Sequence, residues 1–313
     1  MRILVLGAGS TGGYFGGRLA QAGVDVTFLV REGRARQLRQ RGLQIRSPLG
    51  DANLVVAHVL AAELPEVVAR KPFDLVILSC KAYDLDGSLQ AIAPAMGNGT
   101  ALLPILNGLR HYPLLDQRFG AANVIAGLCF ISATKGPDGE VLHLAPPASI
   151  TFGERPAPGR SARTQALASV FAQAGVEHVH SADIVSEQWT KFSFLAALAA
   201  ATCLMRAPVG RIVASEGGTD FMRALYAECL AVAVAAGHEV SAAERERALG
   251  VLTAAGSPIK ASMLRDLEAG QPVEAGHIVG DLLHRALAAG LDAPLLAAAW
   301  CHLQAYESGR ASA

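Results

Sequence analysis

Six residues near the start, Gly7-Ala8-Gly9-Ser10-Thr11-Gly12, constrain this chain more than any other stretch. They follow a short, almost wholly apolar run over 2–6 and lead into a helical pattern over 14–22 that is closed by Gly23. A second apolar run, 24–30, ends at Arg31. Strand, glycine turn, helix and strand in that order form the opening unit of a dinucleotide-binding fold. Gly7 lets the chain turn sharply off the strand. Gly9 lets the backbone approach a pyrophosphate, and Gly12 lets the helix pack closely on the sheet. The first N–H groups of that helix face the phosphates, with the positive end of its dipole behind them. The end of the second strand reads the ribose. An acidic residue there favours NAD, whereas Arg31, with Arg34 and Arg36 close behind, suits a 2′-phosphate and predicts NADP(H). Arg36 reads as part of a solvated helix face.

The 313 residues suffice for two domains. Hydrophobic residues make up 51% and charged residues 17%, so a large core can be buried. A net charge of +0 gives no basic excess that would point to nucleic acid or an anionic membrane. Cys80, Cys129, Cys203, Cys229 and Cys301 are scattered and never form a C-x-x-C pair. That predicts reduced thiols in a cytoplasmic protein, with neither a metal site nor a disulfide frame. Met1 leads straight into the first strand, so no targeting segment is expected. The longest apolar run, 195–205, lies between Lys191 and Arg206; it is too short to span a bilayer and reads as a buried helix. The apolar helices permit a homodimer or a well-buried monomer alike.

Past Arg31 the pattern predicts a helix to about residue 41. A hairpin of 42–46 and 54–57 follows around Ser47-Pro48-Leu49-Gly50. Next come a buried strand over 73–80, a helix over 85–95 and a strand over 101–106. Short strands over 124–127 and 149–153 flank a turn at Pro137-Asp138-Gly139. The stretch 155–161 reads as a loop, 162–174 as a helix and 176–180 as a last strand. From Asp183 on the pattern is helical, broken near Pro208, Gly237, Pro258, Pro272 and Pro294. The fold class is α/β: an N-terminal Rossmann-type dinucleotide-binding domain over 1–181, then an all-helical domain over 182–313.

Open α/β sheets bind ligands beyond the carboxyl ends of their strands, where Lys81 and Asn107 fall. Lys81 reads either as a group beside the cofactor or as a solvated strand end. Asn107-Gly108 reads either as an amide at the site or as a turn. Lys191 lies near the start of the most apolar helix, with Leu195 and Ala199 on its face at i+4 and i+8. It is either a partly desolvated general acid or a lysine reaching water near a helix end. Glu274 falls in the first turn of a helix continuing through Leu282, where the helix dipole alone would account for it. His277 and His284 share that helix, without clustered Cys or Asp to make a metal site.

Taken together, these motifs resemble the ketopantoate reductases (2-dehydropantoate 2-reductases) over nearly the whole chain. The glycine loop 7–12 resembles the family's nucleotide loop, and Arg31 stands where the family places an arginine for the NADP phosphate. Cys80-Lys81-Ala82-Tyr83 resembles its strand-end lysine motif, and Asn107-Gly108 its Asn-Gly motif. Trp189-Thr190-Lys191 resembles the segment with the catalytic lysine. Ser262-Met263-Leu264-Arg265-Asp266 followed by Pro272-Val273-Glu274 resembles its Ser-Met-x-x-Asp…Glu signature. The resemblance implies NADPH-dependent reduction of 2-dehydropantoate to pantoate, a step of pantothenate biosynthesis. The cofactor contacts would be Gly7, Ala8, Gly9, Ser10, Thr11, Gly12, Arg31, Lys81 and Asn107. Lys191 would donate the proton, Glu274 would hold that lysine or the cofactor, and Ser262 and Asn107 would bind a small 2-oxo acid.

One departure stands out. The family carries substrate-binding asparagines one and two turns beyond the lysine, where this chain has Leu195 and Ala199. That favours, as an alternative, reduction of a different 2-oxo acid or carbonyl compound on the same scaffold. A non-catalytic NADP(H) sensor is the reading from another class, and Lys191, Ser262 and Glu274 argue against it.

Overall fold

A computed structural model describes residues 1–155 and 159–311, so residues 156–158 of the loop expected at 155–161 lie outside the described part. The chain falls into two compact units. One is made of Met1–Leu106 and Tyr112–Ile184, the other of Asn107–His111 and the residues from Val185 on.

The first unit opens with β1 (Arg2–Leu6), α1 (Ser10–Gln21), β2 (Asp25–Leu29) and α2 (Glu32–Arg41), in the order the glycine motif predicts. β3 (Leu43–Arg46) and β4 (Ala52–Leu54) pair antiparallel as the expected hairpin. The residues after Leu54 do not prolong it: β5 (Ala57–Val59) pairs parallel with β2 in another sheet. α3 (Leu64–Arg70), β6 (Leu75–Leu78), α4 (Leu85–Ile92), β7 (Ala101–Pro104) and α5 (His111–Phe119) follow. The parallel sheet runs β5-β2-β1-β6-β7. β6 and β7 are buried throughout and β1 over its last four residues, which is why these strands read as unbroken apolar runs. The chain leaves β1 toward β2 and later returns to its other side with β6. The crevice past the carboxyl ends of β1 and β6 is therefore the topological switch point. Leu6 and Leu78 are register partners, so Gly7 and Ser79 leave the sheet side by side.

A second sheet, ordered β10-β9-β3-β4 with β8 on β9, uses β8 (Ala126–Lys135), β9 (Val141–Gly153) and β10 (Glu177–His180); α6 (Ala162–Gln173) precedes β10. Only the ends of β8 and β9 were expected from the pattern, yet they form a hairpin of 10 and 13 residues. Pro146 and Pro147 hid it, because proline cannot donate to a ladder. They sit where the register slips, between the pairs Ile131–Ala148 and Ser132–Ala145.

The second unit is helical: α7 (Ile184–Met205), α8 (Val209–Val213), α9 (Gly218–Ala235), α10 (Ala242–Leu252), α11 (Ser262–Glu268), α12 (Val279–Ala288) and α13 (Pro294–Ala311). The 22 residues of α7 make it about 33 Å long at 1.5 Å per residue. Ala196, Ala197, Ala199, Ala200 and Ala201 are buried, so neighbouring elements approach the α7 backbone closely. Among the described residues no helix is long and apolar enough to cross a membrane.

Candidate active site

The glycine loop meets the conditions for a nucleotide. Gly7 turns at φ +88°, a conformation that L side chains rarely adopt. A Cβ on Gly12 would overlap Ser79 Oγ and come within 2.5 Å of Gly7 O, so the start of α1 can lie there only as glycine. Ser79 is itself fastened, donating to Leu6 O at 2.7 Å. A Cβ on Gly9 would meet nothing within 4 Å, so the flank from which a pyrophosphate would approach is open. Gly9 is the N-cap of α1 and no side chain caps it, which leaves the first N–H groups of the helix for a ligand. These features fit a dinucleotide.

Arg31 lies just past β2, with its side chain 82% exposed and its Nη2 bonded to Asp84 at 2.9 Å. An exposed pair of this kind contributes little and yields readily to a phosphate. No acidic residue occupies the end of β2. Lys81 is half-buried and is the N-cap of a short turn, Ala82–Asp84, three residues past β6.

Arg34, grouped by the sequence with Arg31 for a 2′-phosphate, is engaged with the glycine loop instead. Its Nε donates to Ala8 O at 2.9 Å, so the side chain holds the glycine loop from behind. Burial lowers its pKa, opposed by the charge of Glu140. The only signal available was its spacing of one turn from Arg31.

The remaining expected residues, Asn107, Lys191, Ser262 and Glu274, belong to the helical unit. Lys191 is the eighth residue of α7, two turns in from Ile184, and is half-buried. This corrects the reading of a lysine beside a helix end. Its Nζ donates to Asn107 Oδ1 at 3.2 Å. Leu195 and Ala199 follow one and two turns on; Leu195 is half-buried and Ala199 fully buried.

Glu274 is 7% exposed. It does not lie in the first turn of α12, as its position suggested. It heads a separate 3-10 turn, Ala275–His277, and accepts from His277 N at 3.1 Å through its main chain. His277 therefore does not share the helix of His284. Burial of this degree removes the helix-dipole explanation, since a buried carboxylate stands only with polar partners.

Two contacts stitch the Asn107 segment to that turn. Gly108 adopts φ +81°, and a Cβ on it would come within 2.5 Å of His277 O. Arg110 Nη1 donates to Gly276 O at 3.2 Å. Asn107, Lys191 and the turn after Glu274 thus form one assembly. Ser262 opens α11, half-buried, and its hydroxyl makes no hydrogen bond among the described residues. The N–H of the preceding Ala261 donates to Thr202 Oγ1 at 3.4 Å, and Thr202 donates in turn to Leu198 O at 2.7 Å. α7 therefore carries both Lys191 and the support for Ser262, about 16 Å apart along its axis.

Comparison with known proteins identifies the family. The description "Ketopantoate reductase PanE/ApbA" matches residues 3–157, and its C-terminal counterpart matches residues 183–307. The chain belongs to the ketopantoate reductase family. The resemblance drawn from the motifs is confirmed, as is a Rossmann-type domain followed by a helical one. Members of this family are oxidoreductases. The chain is 37% identical over 308 residues to a Bacillus subtilis protein described as the uncharacterized oxidoreductase YkpB, covering 98% of this chain and 99% of that one. A solved 2-dehydropantoate 2-reductase from Geobacter metallireducens superposes with TM-score 0.87 at 30% identity, over 97% of this chain and 99% of that one. A D-mandelate dehydrogenase solved with NADH and anilino(oxo)acetate has the same fold, with TM-score 0.87 at 20% identity over 99% of this chain and 100% of that one.

Proposed function

We propose that this chain reduces a 2-oxo acid with NADPH, 2-dehydropantoate to pantoate being the leading reaction. The observation that carries the reading is the Lys191–Asn107 hydrogen bond, which joins an ammonium and an amide from segments 84 residues apart. The bound cofactor supplies a hydride to the ketone carbon. Lys191 stabilises the developing alkoxide by its charge and gives its proton to that oxygen. Asn107 fixes the lysine and keeps its amide N–H groups for the substrate or the nicotinamide. Glu274 holds the lysine or the cofactor, and Ser262 donates its unengaged hydroxyl to the substrate. The main chain of the loop 7–12 takes the pyrophosphate, with Lys81 beside it. Arg31 exchanges Asp84 for the 2′-phosphate. The cytoplasm is the expected compartment.

A second reading, reduction of another 2-oxo acid, rests on Leu195 and Ala199, which offer no hydrogen bond to the hydroxyl of 2-dehydropantoate. Following NADPH oxidation with 2-dehydropantoate and a panel of 2-oxo acids tests both. Fast turnover of 2-dehydropantoate, lost in Lys191→Ala, supports the first. Turnover only of acids lacking that hydroxyl supports the second, and none at all refutes both.

A further inference from the structure

We propose that Arg110 binds the carboxylate of the substrate. The inference rests on the reading of Lys191 as proton donor to a 2-oxo acid and adds the group that holds the other end of that molecule. Every such substrate carries a carboxylate directly on the ketone carbon, and a reductase must fix it to present one face of the ketone. One and two turns beyond Lys191 its helix offers nothing for this, since Leu195 and Ala199 have no polar side-chain atom.

The segment that carries Asn107 does. Arg110 lies three residues beyond it, in the same unit. The guanidinium is placed by one bond, Nη1 to Gly276 O at 3.2 Å, and makes no other hydrogen bond or ion pair among the described residues. Gly276 is two residues from Glu274, so the two Cα atoms are at most about 7.6 Å apart. The guanidinium is therefore held beside the turn of Glu274 while Asn107, at the other end of its own segment, holds Lys191. An arginine with one N–H engaged keeps a fork for a carboxylate, whose two oxygens match it in a bidentate pair. The charges agree as well. Lys191 and Glu274 sum to zero, and Arg110 leaves one positive charge for a monoanion. Elsewhere in the helical unit Arg285 is paired with Asp281 and Arg310 with Glu307, whereas no carboxylate is paired with Arg110 among the described residues.

The bond to Gly276 also allows a purely structural role, a clasp between loop and turn, and the test separates the two. Arg110→Gln and Arg110→Lys are compared with wild type on three ketones: 2-dehydropantoate, 3,3-dimethyl-2-oxobutanoate and the methyl ester of the latter, which keeps the ketone and lacks the charge. The melting temperature checks folding of the variants. The expected result is a rise in KM of roughly 10- to 100-fold for the acids in Arg110→Gln, the loss of a bidentate charge-assisted pair. kcat should change little, the ester should be handled equally by variant and wild type, and added guanidinium ion should restore part of the loss. Equal losses on acid and ester would make Arg110 a clasp and overturn the proposal, as would an unchanged KM. A wild type inert toward both acids and toward the whole panel of 2-oxo acids would refute the reduction itself, visibly and before any variant is made.

Discussion

The N-terminal unit offers a ligand main-chain N–H groups, whereas the helical unit offers side chains drawn from several separate segments. At the first site position is everything. Gly12 has no room for a methyl group, and Ala8 is held from behind by Arg34. At the second, the scaffold is indifferent to the chemistry it carries. The buried alanines that pack α7 into the helical core all lie beyond residue 191. A site made of backbone is broken by added bulk; a site made of side chains is broken by removing one functional group.

The sharpest way to break the contrast is Lys191→Ala. kcat should fall by about 10²- to 10⁴-fold, as for loss of a general acid, while NADPH binding and the melting temperature hold. A parallel fall in cofactor affinity would show that the two sites are not separable. Gly12→Ala should do the reverse. Overpacking of this kind costs roughly 1–3 kcal/mol, so a fluorescence titration should show NADPH binding weakened about tenfold to a hundredfold. Thr202→Val tests whether the second site also depends on position. It removes the acceptor of the Ala261 N–H within a fully buried pair, at a cost of about 1–2 kcal/mol by denaturant titration. The KM for the 2-oxo acid should rise severalfold as the start of α11 loosens around Ser262, with NADPH affinity unchanged.

The smallest effect concerns the first unit alone. Desolvation, helped by Arg160 and His178 and opposed by Glu154, holds the His180 pKa below its usual 6.5. The unfolded chain therefore takes up the proton first. The contribution of His180 is present above pH 6.5 and is lost as pH falls through that value toward the folded pKa. Melting curves across this window should be flatter in His180→Gln than in wild type. An unchanged slope would mean that other groups dominate there.

The two sites also differ in how openly the sequence displays them. The nucleotide loop is legible because its parts are contiguous: one strand, three glycines and one helix, each with a single physical reason. The helices α3 and α5 escaped notice because both are short and weakly patterned, with Pro65 and Pro113 in their first turns. The β8–β9 hairpin was masked by Pro146-Pro147, whose misfit to a ladder is absorbed by a slip in register. Lys191 seemed to stand at a helix end because the apolar run starts late, although α7 begins at Ile184. Glu274 passed for a helix-start carboxylate because a 3-10 turn is indistinguishable in pattern from the helix that follows it. Arg110 could not be singled out, since what holds it is a main-chain carbonyl far away in the chain, and carbonyls leave no mark in a sequence.

The membership of Asn107–His111 in the helical unit bears on how such a protein could be taken apart. The polypeptide passes into that unit, returns, and enters it again for good after Ile184. The two units are therefore not interchangeable cassettes. A gene fragment beginning at Val185 would encode almost the whole helical unit, yet omit the amide bonded to Lys191 and the arginine resting on Gly276. Exchange of this half between relatives would have to carry a five-residue graft from the other half of the gene.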